Sequence, residues 1–477
     1  MRLDSRVPFL AVAALLVWGS GRARAQVATS ANTVQSLFYK EIQKDGRIYV
    51  FNVAEEAERF EKSGETGRAI TRIGVGPNGE TVVADSETAL ELFFFKHGVS
   101  EKVDRPKDAP LNIVWRDGKT RFTLGSGFYM EISNRIQVRY AHEMPDDAVK
   151  LPGTETAGDD KGSFRIRRAK FKIEGWFYQP YLQYELQLNW PGALGSNVGA
   201  FLEDANINWD LTKGRKRLMV RFGQFKAPFG LQELISSGSQ EFVDRSLVSN
   251  AYFRGRDTGA SVWGVLGNNK VEYRAGIFNG NGLTRPLNDN NKFQANARVT
   301  FQPTGAVPLG IWGSGVHMTE SDMDTRALGR PVFTIGGAFE QNDLRFAATD
   351  LATNIKSTLF TIDSLYKYKG FFATGSYTWG LRRPQDVAIR EFDTKGWFLQ
   401  GGYFFKPDVW EVAGRYGELD PSELIAIDKV KELGGALSYY YNKHNLKVQA
   451  DFRRIQTESA SGGTTNHELR VQTQFIF

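Results

Sequence analysis

Phe128-Tyr129-Met130-Glu131-Ile132-Ser133-Asn134-Arg135-Ile136-Gln137-Val138-Arg139-Tyr140 sorts its side chains by parity. Phe128, Met130, Ile132, Ile136 and Val138 share one face; Glu131, Ser133, Arg135, Gln137 and Arg139 share the other. Successive side chains of an extended chain point to opposite faces, so this stretch reads as a strand with one apolar and one polar surface. The pattern recurs. Leu182, Tyr184, Leu186 and Leu188 oppose Gln183, Glu185, Gln187 and Asn189; Phe293, Ala295, Ala297, Val299 and Phe301 oppose Gln294, Asn296, Arg298 and Thr300. The last segment sets Leu469, Val471, Thr473, Phe475 and Phe477 against Arg470, Gln472 and Gln474. Sixteen such segments start near residues 128, 164, 181, 199, 217, 256, 270, 293, 331, 358, 371, 394, 409, 430, 445 and 466.

Their connections alternate in length. Gln179-Pro180, Gly267-Asn268-Asn269, Lys369-Gly370, Lys406-Pro407-Asp408 and Asn442-Lys443-His444-Asn445 are short, whereas 141–163, 227–255, 341–357 and 382–393 are long. Thr304–Arg330 breaks the rule, being a long link on the short side. Aromatics gather at segment ends: Trp176-Phe177-Tyr178, Trp190, Trp209, Trp379, Tyr403-Phe404-Phe405 and Tyr439-Tyr440-Tyr441. An even strand number, turns short on one side and long on the other, and aromatic girdles define an all-β, 16-stranded antiparallel transmembrane β-barrel over 120–477. A soluble β-sandwich would share the alternation but not the girdles or the turn asymmetry. The terminal Phe477 on an amphipathic strand resembles the signal read by the barrel assembly machinery of the bacterial outer membrane.

The rest of the chain fits that compartment. Arg2 and Arg6, an apolar run from Val7 to Trp18, and Ala23-Arg24-Ala25 form a signal-peptide pattern over 1–25; the run is too short to cross hydrocarbon as a helix. Residues 26–110 read as a small α/β unit in the periplasm: a strand over Gly46–Phe51, a helix over Glu55–Lys62, a hairpin around Pro77-Asn78-Gly79-Glu80, and a helix capped by Asp85-Ser86. The chain has 477 residues, no Cys, five His and 49 Gly. These counts exclude disulfides and thiolate chemistry, and no Ser–His–acid pattern or cofactor motif points to an enzyme, to a bound cofactor or metal, or to nucleic acid. Mean hydropathy is −0.37, as expected where half of each strand faces water.

The inner face then decides function. Inward parity falls on Arg135, Arg139, Arg168, Lys170, Lys172, Arg221, Arg274, Arg298, Lys367, Lys447, Arg453 and Arg470, and on acids including Glu131, Glu174, Glu185, Asp204, Glu272, Glu340, Asp363, Glu432 and Asp451. Phe164-Arg165-Ile166-Arg167-Arg168-Ala169-Lys170-Phe171-Lys172 is strongly cationic, and its parity breaks at Arg167-Arg168. The whole chain is net +6; residues 26–110, with 11 Lys and Arg against 14 Asp and Glu, are net −3. Rings of cations in a pore favour anions, and Arg matches phosphate oxygens with paired donors. A general diffusion pore with acids facing bases fits the composition equally well.

The stretches 164–175, Gly223-Gln224-Phe225-Lys226-Ala227-Pro228-Phe229-Gly230, Phe242-Val243-Asp244-Arg245-Ser246, Gly255-Arg256-Asp257-Thr258-Gly259 and Ala275-Gly276-Ile277-Phe278-Asn279-Gly280 resemble the phosphate-selective porins O and P. The resemblance spans roughly 120–477. It implies an outer-membrane homotrimer, a third long loop folded inward, and a cationic path for phosphate, polyphosphate or other small anions. It points to Arg167, Arg168, Arg245 and Arg256. With parity and the loop charges, the expected anion path is Arg135, Arg139, Arg167, Arg168, Lys170, Arg221, Lys226, Arg245 and Arg256; Arg168→Ala and Arg245→Ala are expected to weaken phosphate block of chloride current more than Arg470→Ala near the C-terminus.

Overall fold

The computed structural model describes residues 38–67, 69–99, 111–125, 127–145, 160–190, 201–252, 255–283, 287–304, 319–323, 325–344, 354–386, 388–425, 427–459 and 463–477. The expected signal peptide lies outside them. The chain divides into two compact units, 1–104 and 105–477.

The first unit holds β1 (Lys40–Lys44), β2 (Arg47–Phe51), α1 (Ala54–Ser63), β3 (Ile70–Arg72), β4 (Thr81–Ala84) and α2 (Glu87–His97). Its sheet runs β1-β2-β4-β3, with β2 and β4 parallel and both edges antiparallel. Ile48, Val50, Val82 and Ala84 from the sheet and Leu90, Phe93 and Phe94 from α2 make its core. The Ser86 hydroxyl accepts from Ala89 N at 3.0 Å, capping α2. The sequence reading omitted β1, whose pattern Lys-Glu-Ile-Gln-Lys offers one apolar residue to a shallow edge position.

The second unit is a closed antiparallel barrel of sixteen strands: β7 (Phe128–Met144), β8 (Lys161–Phe177), β9 (Leu182–Asn189), β10 (Phe201–Asp210), β11 (Met219–Lys226), β12 (Arg256–Leu266), β13 (Val271–Phe278), β14 (Gln294–Phe301), β15 (Val332–Leu344), β16 (Ile355–Tyr368), β17 (Phe371–Pro384), β18 (Phe392–Lys406), β19 (Trp410–Asp420), β20 (Val430–Asn442), β21 (Leu446–Thr457) and β22 (Thr464–Ile476). None starts more than three residues from its expected place. Closure is a ladder from Ile476↔Arg135 to His467↔Met144, extended by mutual hydrogen bonds between Asn134 and Phe477. A hairpin unanticipated from sequence, β5 (Asn112–Arg116) and β6 (Lys119–Leu124), pairs with the first residues of β7. Its turn is Asp117-Gly118, both at positive φ. Asn112-Ile113-Val114-Trp115-Arg116 does not alternate, so parity gave no signal there.

The faces divide as parity dictates. Phe222, Ile207, Val299 and Leu433 are exposed on the outer wall, while Gln137, Arg139, Asn208, Arg298, Asp363 and Gln474 are buried inside. Girdle runs obey the same alternation: Tyr403, Phe405 and Tyr441 face out, but Phe404 and Tyr440 turn inward and pack with Met323. In β8 the register slips from Gln137↔Arg168 to Val138↔Ile166, which leaves Arg167 as an extra residue. At Gly223 φ is +118°, and a Cβ would lie 2.1 Å from the Ala205 carbonyl oxygen; only glycine lets β10 approach there.

Ala297 sits midway along β14 on the exposed outer face. Ala297→Arg is expected to destabilise the folded barrel by about 2–4 kcal/mol, and Phe293→Arg at the rim by roughly 0–1 kcal/mol. Urea unfolding from lipid vesicles measures both.

Candidate functional site

Loop 227–255 joins β11 to β12 and carries two short helices, α3 (Leu231–Leu234) and α4 (Leu247–Tyr252). It folds into the barrel because its apolar residues meet inward-facing apolar residues of the wall. Phe229, Val248 and Tyr252 pack on Leu359, Phe398 and Leu419; Leu231 and Ile235 pack on Val332, Leu365 and Phe372; Phe242 packs on Ala413 and Ala436. The Arg415 guanidinium lies 4.0 Å from the Phe242 ring centroid. The loop therefore lies against β15–β20.

Its backbone is satisfied by side chains of the wall. Leu231 N donates to Asp363 Oδ2 (2.9 Å), Val243 N to Asp451 Oδ2 (3.0 Å) and Leu247 N to Glu432 Oε2 (2.7 Å). In the other direction, Arg298 donates to the Phe229 carbonyl (2.6 Å), Arg415 to Asp244 O (3.0 Å), Lys447 to Gln240 O (2.8 Å) and Gln474 to Gly238 O (2.9 Å). Buried backbone polar groups must be paired, and here charged and amide side chains of the wall do the pairing.

The loop's polar side meets the cations. Four guanidinium groups converge on Asp244: Arg139 at 2.6 Å, Arg470 at 3.2 Å, Arg167 at 3.5 Å and Arg168 at 3.6 Å. Arg168 also donates to Gln137 Oε1 and Arg139 to the Val243 carbonyl. The β8 bulge lets two consecutive arginines reach one carboxylate. Lys170 hydrogen-bonds Glu203, and Arg256 pairs with Asp204 at 2.7 Å and Glu203 at 3.5 Å. Lys226 donates to the carbonyls of Glu233, Leu234 and Ile235, and Arg245 to those of Gln232 and Ile235 while pairing with Glu233 at 3.0 Å. Cations beside the C-terminal carbonyls of α3 hold the loop's fold. Arg221 lies apart from these, donating to Asn208 Oδ1 at 2.7 Å with its guanidinium over the Phe225 ring.

Arg135 differs from its neighbours. It donates to the hydroxyls of Ser236 (3.0 Å) and Ser237 (3.2 Å), its buried Nε has no acceptor, and it forms no ion pair among the described residues. Gly238 presses against it: a Cβ there would lie 2.6 Å from the Arg135 Cζ. Its charged neighbours are the carboxylate of Glu203 and the cations Arg256, Arg245, Lys170 and Lys447.

The nine expected residues thus separate by task. Eight surround the polar side of the loop, and Arg221 sits beyond. Arg470 joins the same cluster, because β22 closes onto β7 and brings the C-terminal strand beside Arg139. Asp244, Ser236 and Ser237, which parity cannot reach because they lie in a loop, complete the cluster. Arg415 faces inward too and was missing from the parity reading.

A closed sixteen-stranded barrel with a polar lumen, an apolar outer belt and an inserted loop is the architecture of an outer-membrane channel of the porin class. The model of the family "Phosphate-selective porin O and P" matches residues 138–477, and the chain belongs to that family. A search of curated proteins gives no match. Among solved structures, the chain resembles an anion-selective porin from Comamonas acidovorans at 13% identity and TM-score 0.50, covering 73% of this chain and 99% of that one. It also resembles the outer-membrane channel DcaP of Acinetobacter baumannii at 12% identity and TM-score 0.49, covering 75% and 99%. These identities speak to fold alone.

The Arg298–Asp363 pair, at 2.6 Å and almost fully buried, ties both the wall and the loop. Asp363→Ala strands a buried guanidinium and is expected to cost about 3–5 kcal/mol. Exchanging both residues for apolar ones of similar size is expected to cost less; thermal unfolding in detergent compares them.

Proposed function

We propose that this porin passes small anions across the outer membrane, with phosphate or polyphosphate as the favoured cargo. Arg135 carries the reading: a guanidinium with two serine hydroxyls beside it and no carboxylate paired to it is a ready oxyanion site. The other cations form the approach, from the exposed Arg165 down through Arg167, Arg168, Arg139 and Arg470 to Lys170, Arg256, Lys226 and Arg245. Weak binding at successive sites suits conduction, since a tight site would block its own pore. The family's name supports phosphate as cargo.

A second reading has its own observation. Glu203, Asp204, Glu233, Asp244, Asp451 and Glu468 pair with most of these cations, so the lumen also fits a general porin whose transverse field orders water.

The remaining parts follow from the same reading. The unit 38–99 belongs in the periplasm, three copies assemble in the membrane, and Phe477, half exposed at the seam with β7, is offered to the assembly machinery.

In planar bilayers, the reversal potential under a chloride gradient is expected to show anion preference, and phosphate is expected to block chloride current. Arg135→Ala is expected to weaken that block roughly tenfold or more, the worth of one charge-assisted hydrogen bond. Cation preference in the wild type, or block unchanged in the variant, favours the general porin.

A further inference from the structure

The link between β14 and β15 lies on the short-turn side, yet its described residues 319–323 run back to the inserted loop. Lys367 donates to Thr319 Oγ1 at 2.7 Å, Gly370 N to Asp322 Oδ2 at 2.7 Å, and Glu320 N to the Ser239 carbonyl at 2.7 Å. Glu320 is wholly buried where the two meet. Its Oε1 accepts from Gln232 Nε2 at 2.9 Å; its Oε2 accepts from Glu241 N at 3.1 Å and Gln400 Nε2 at 2.8 Å.

Two more carboxyl groups complete the contact. Glu241 of the loop accepts from Gln400 Nε2 through Oε2 at 2.7 Å, and Glu411 of β19 accepts from Tyr440 OH at 2.5 Å and Ser321 Oγ at 2.9 Å, also through Oε2. Each leaves its Oε1 buried without a donor, and the two carboxyl groups lie close enough to repel one another when both are charged. Two ionised carboxylates cannot satisfy one another, because both are acceptors only. One proton between them satisfies both orphaned oxygens and removes the like-charge repulsion.

We propose that Glu241 and Glu411 share a single proton and that this bond, docked against Glu320, is a proton-operated latch fixing the inserted loop to the wall and to the inner link. The groups facing it are Glu320 on the link, Gln400 on β18, Tyr440 on β20 and Lys447 on β21. Lys447 is committed to the Gln240 carbonyl and His444 Nδ1; Arg415 reaches Gln400 Oε1 and pairs with Glu432. Burial and then the neighbouring carboxylates of Glu411 and Glu320 push the Glu241 carboxyl well above its usual range. The protonated form is the folded partner, so the latch holds at acid pH and is lost as pH rises through the raised value. The inference needs only that the loop lies in a conducting lumen and is independent of which ion passes.

Single-channel recordings of the full-length protein in planar bilayers, in potassium chloride with chelator and from mildly acid to strongly alkaline pH, test it. Wild-type conductance is expected to stay level at acid pH and then, as pH rises through the raised value, to change reversibly with a rise in open-channel noise. Glu241→Gln and Glu411→Gln each replace the shared proton with an amide N–H; both are expected to keep the acid-pH conductance and to lose the pH transition. Infrared spectra of the wild type are expected to lose a protonated-carboxyl band over the same pH range, which reads the proton even if a variant fails to fold. A wild type without a transition, a transition unchanged in both variants, or one that tracks added calcium instead of pH overturns the latch. Reversal potentials recorded alongside report anion preference separately.

Discussion

The ladder that joins β22 to β7 is the contact on which the rest depends. Hydrocarbon offers no water to an open strand edge, so a sheet in a membrane has to close on itself. Closure makes every strand alternate between lipid and lumen, and it brings residues more than three hundred positions apart into register, as with Arg139 and Gln472. A closed wall also leaves an interior that water or protein must fill. Here a loop fills much of it, and a loop buried inside a barrel carries its unpaired backbone with it. The inward charges of β14, β16 and β19–β21 answer that need first. Arg298, Asp363, Glu432 and Asp451 are anchors for peptide groups before they are parts of any field.

That ordering explains how charge is shared between structure and transport. On the side of β15–β20 the loop buries apolar groups and the wall's ions hold its backbone. On the side of β7, β8 and β12 the loop presents Ser236, Ser237, Glu233 and Asp244 to a cationic wall. Asp244 has a double role: its backbone carbonyl accepts from Arg415 on one wall, and its carboxylate gathers four arginines on the other. The modest net charge of the chain conceals this segregation.

Much of the fold was legible because period two is a strong signal over long strands. Sixteen starts, the turn asymmetry and the parity break at Arg167 all follow from local pattern and steric rules. The β5–β6 hairpin was not legible, since both strands are short and β5 does not alternate. Of the site, parity supplied the wall cations but not their meeting points. Nothing local relates Arg470 to Arg139; only closure does. Ser236, Ser237, Asp244 and Glu241 lie in a loop whose path is set by apolar contacts far away in sequence. The long link at 304–330 was visible as an exception, and its described residues show the physical reason: part of it is interior, carrying Glu320 to the loop.

The extra residue in β8 has a consequence for how this wall tolerates change. In a regularly alternating strand, removing one residue would turn every side chain beyond it to the wrong side, with charges in lipid and apolar groups in water. At Arg167 the count is already uneven: Ile166 faces out and Arg165 and Arg168 face in on either side of it. Deleting Arg167 would restore plain alternation and leave Phe164, Arg165, Lys170 and Lys172 on the faces they now occupy. The bulge is thus a joint at which the chain can change length by one without exchanging its inside for its outside.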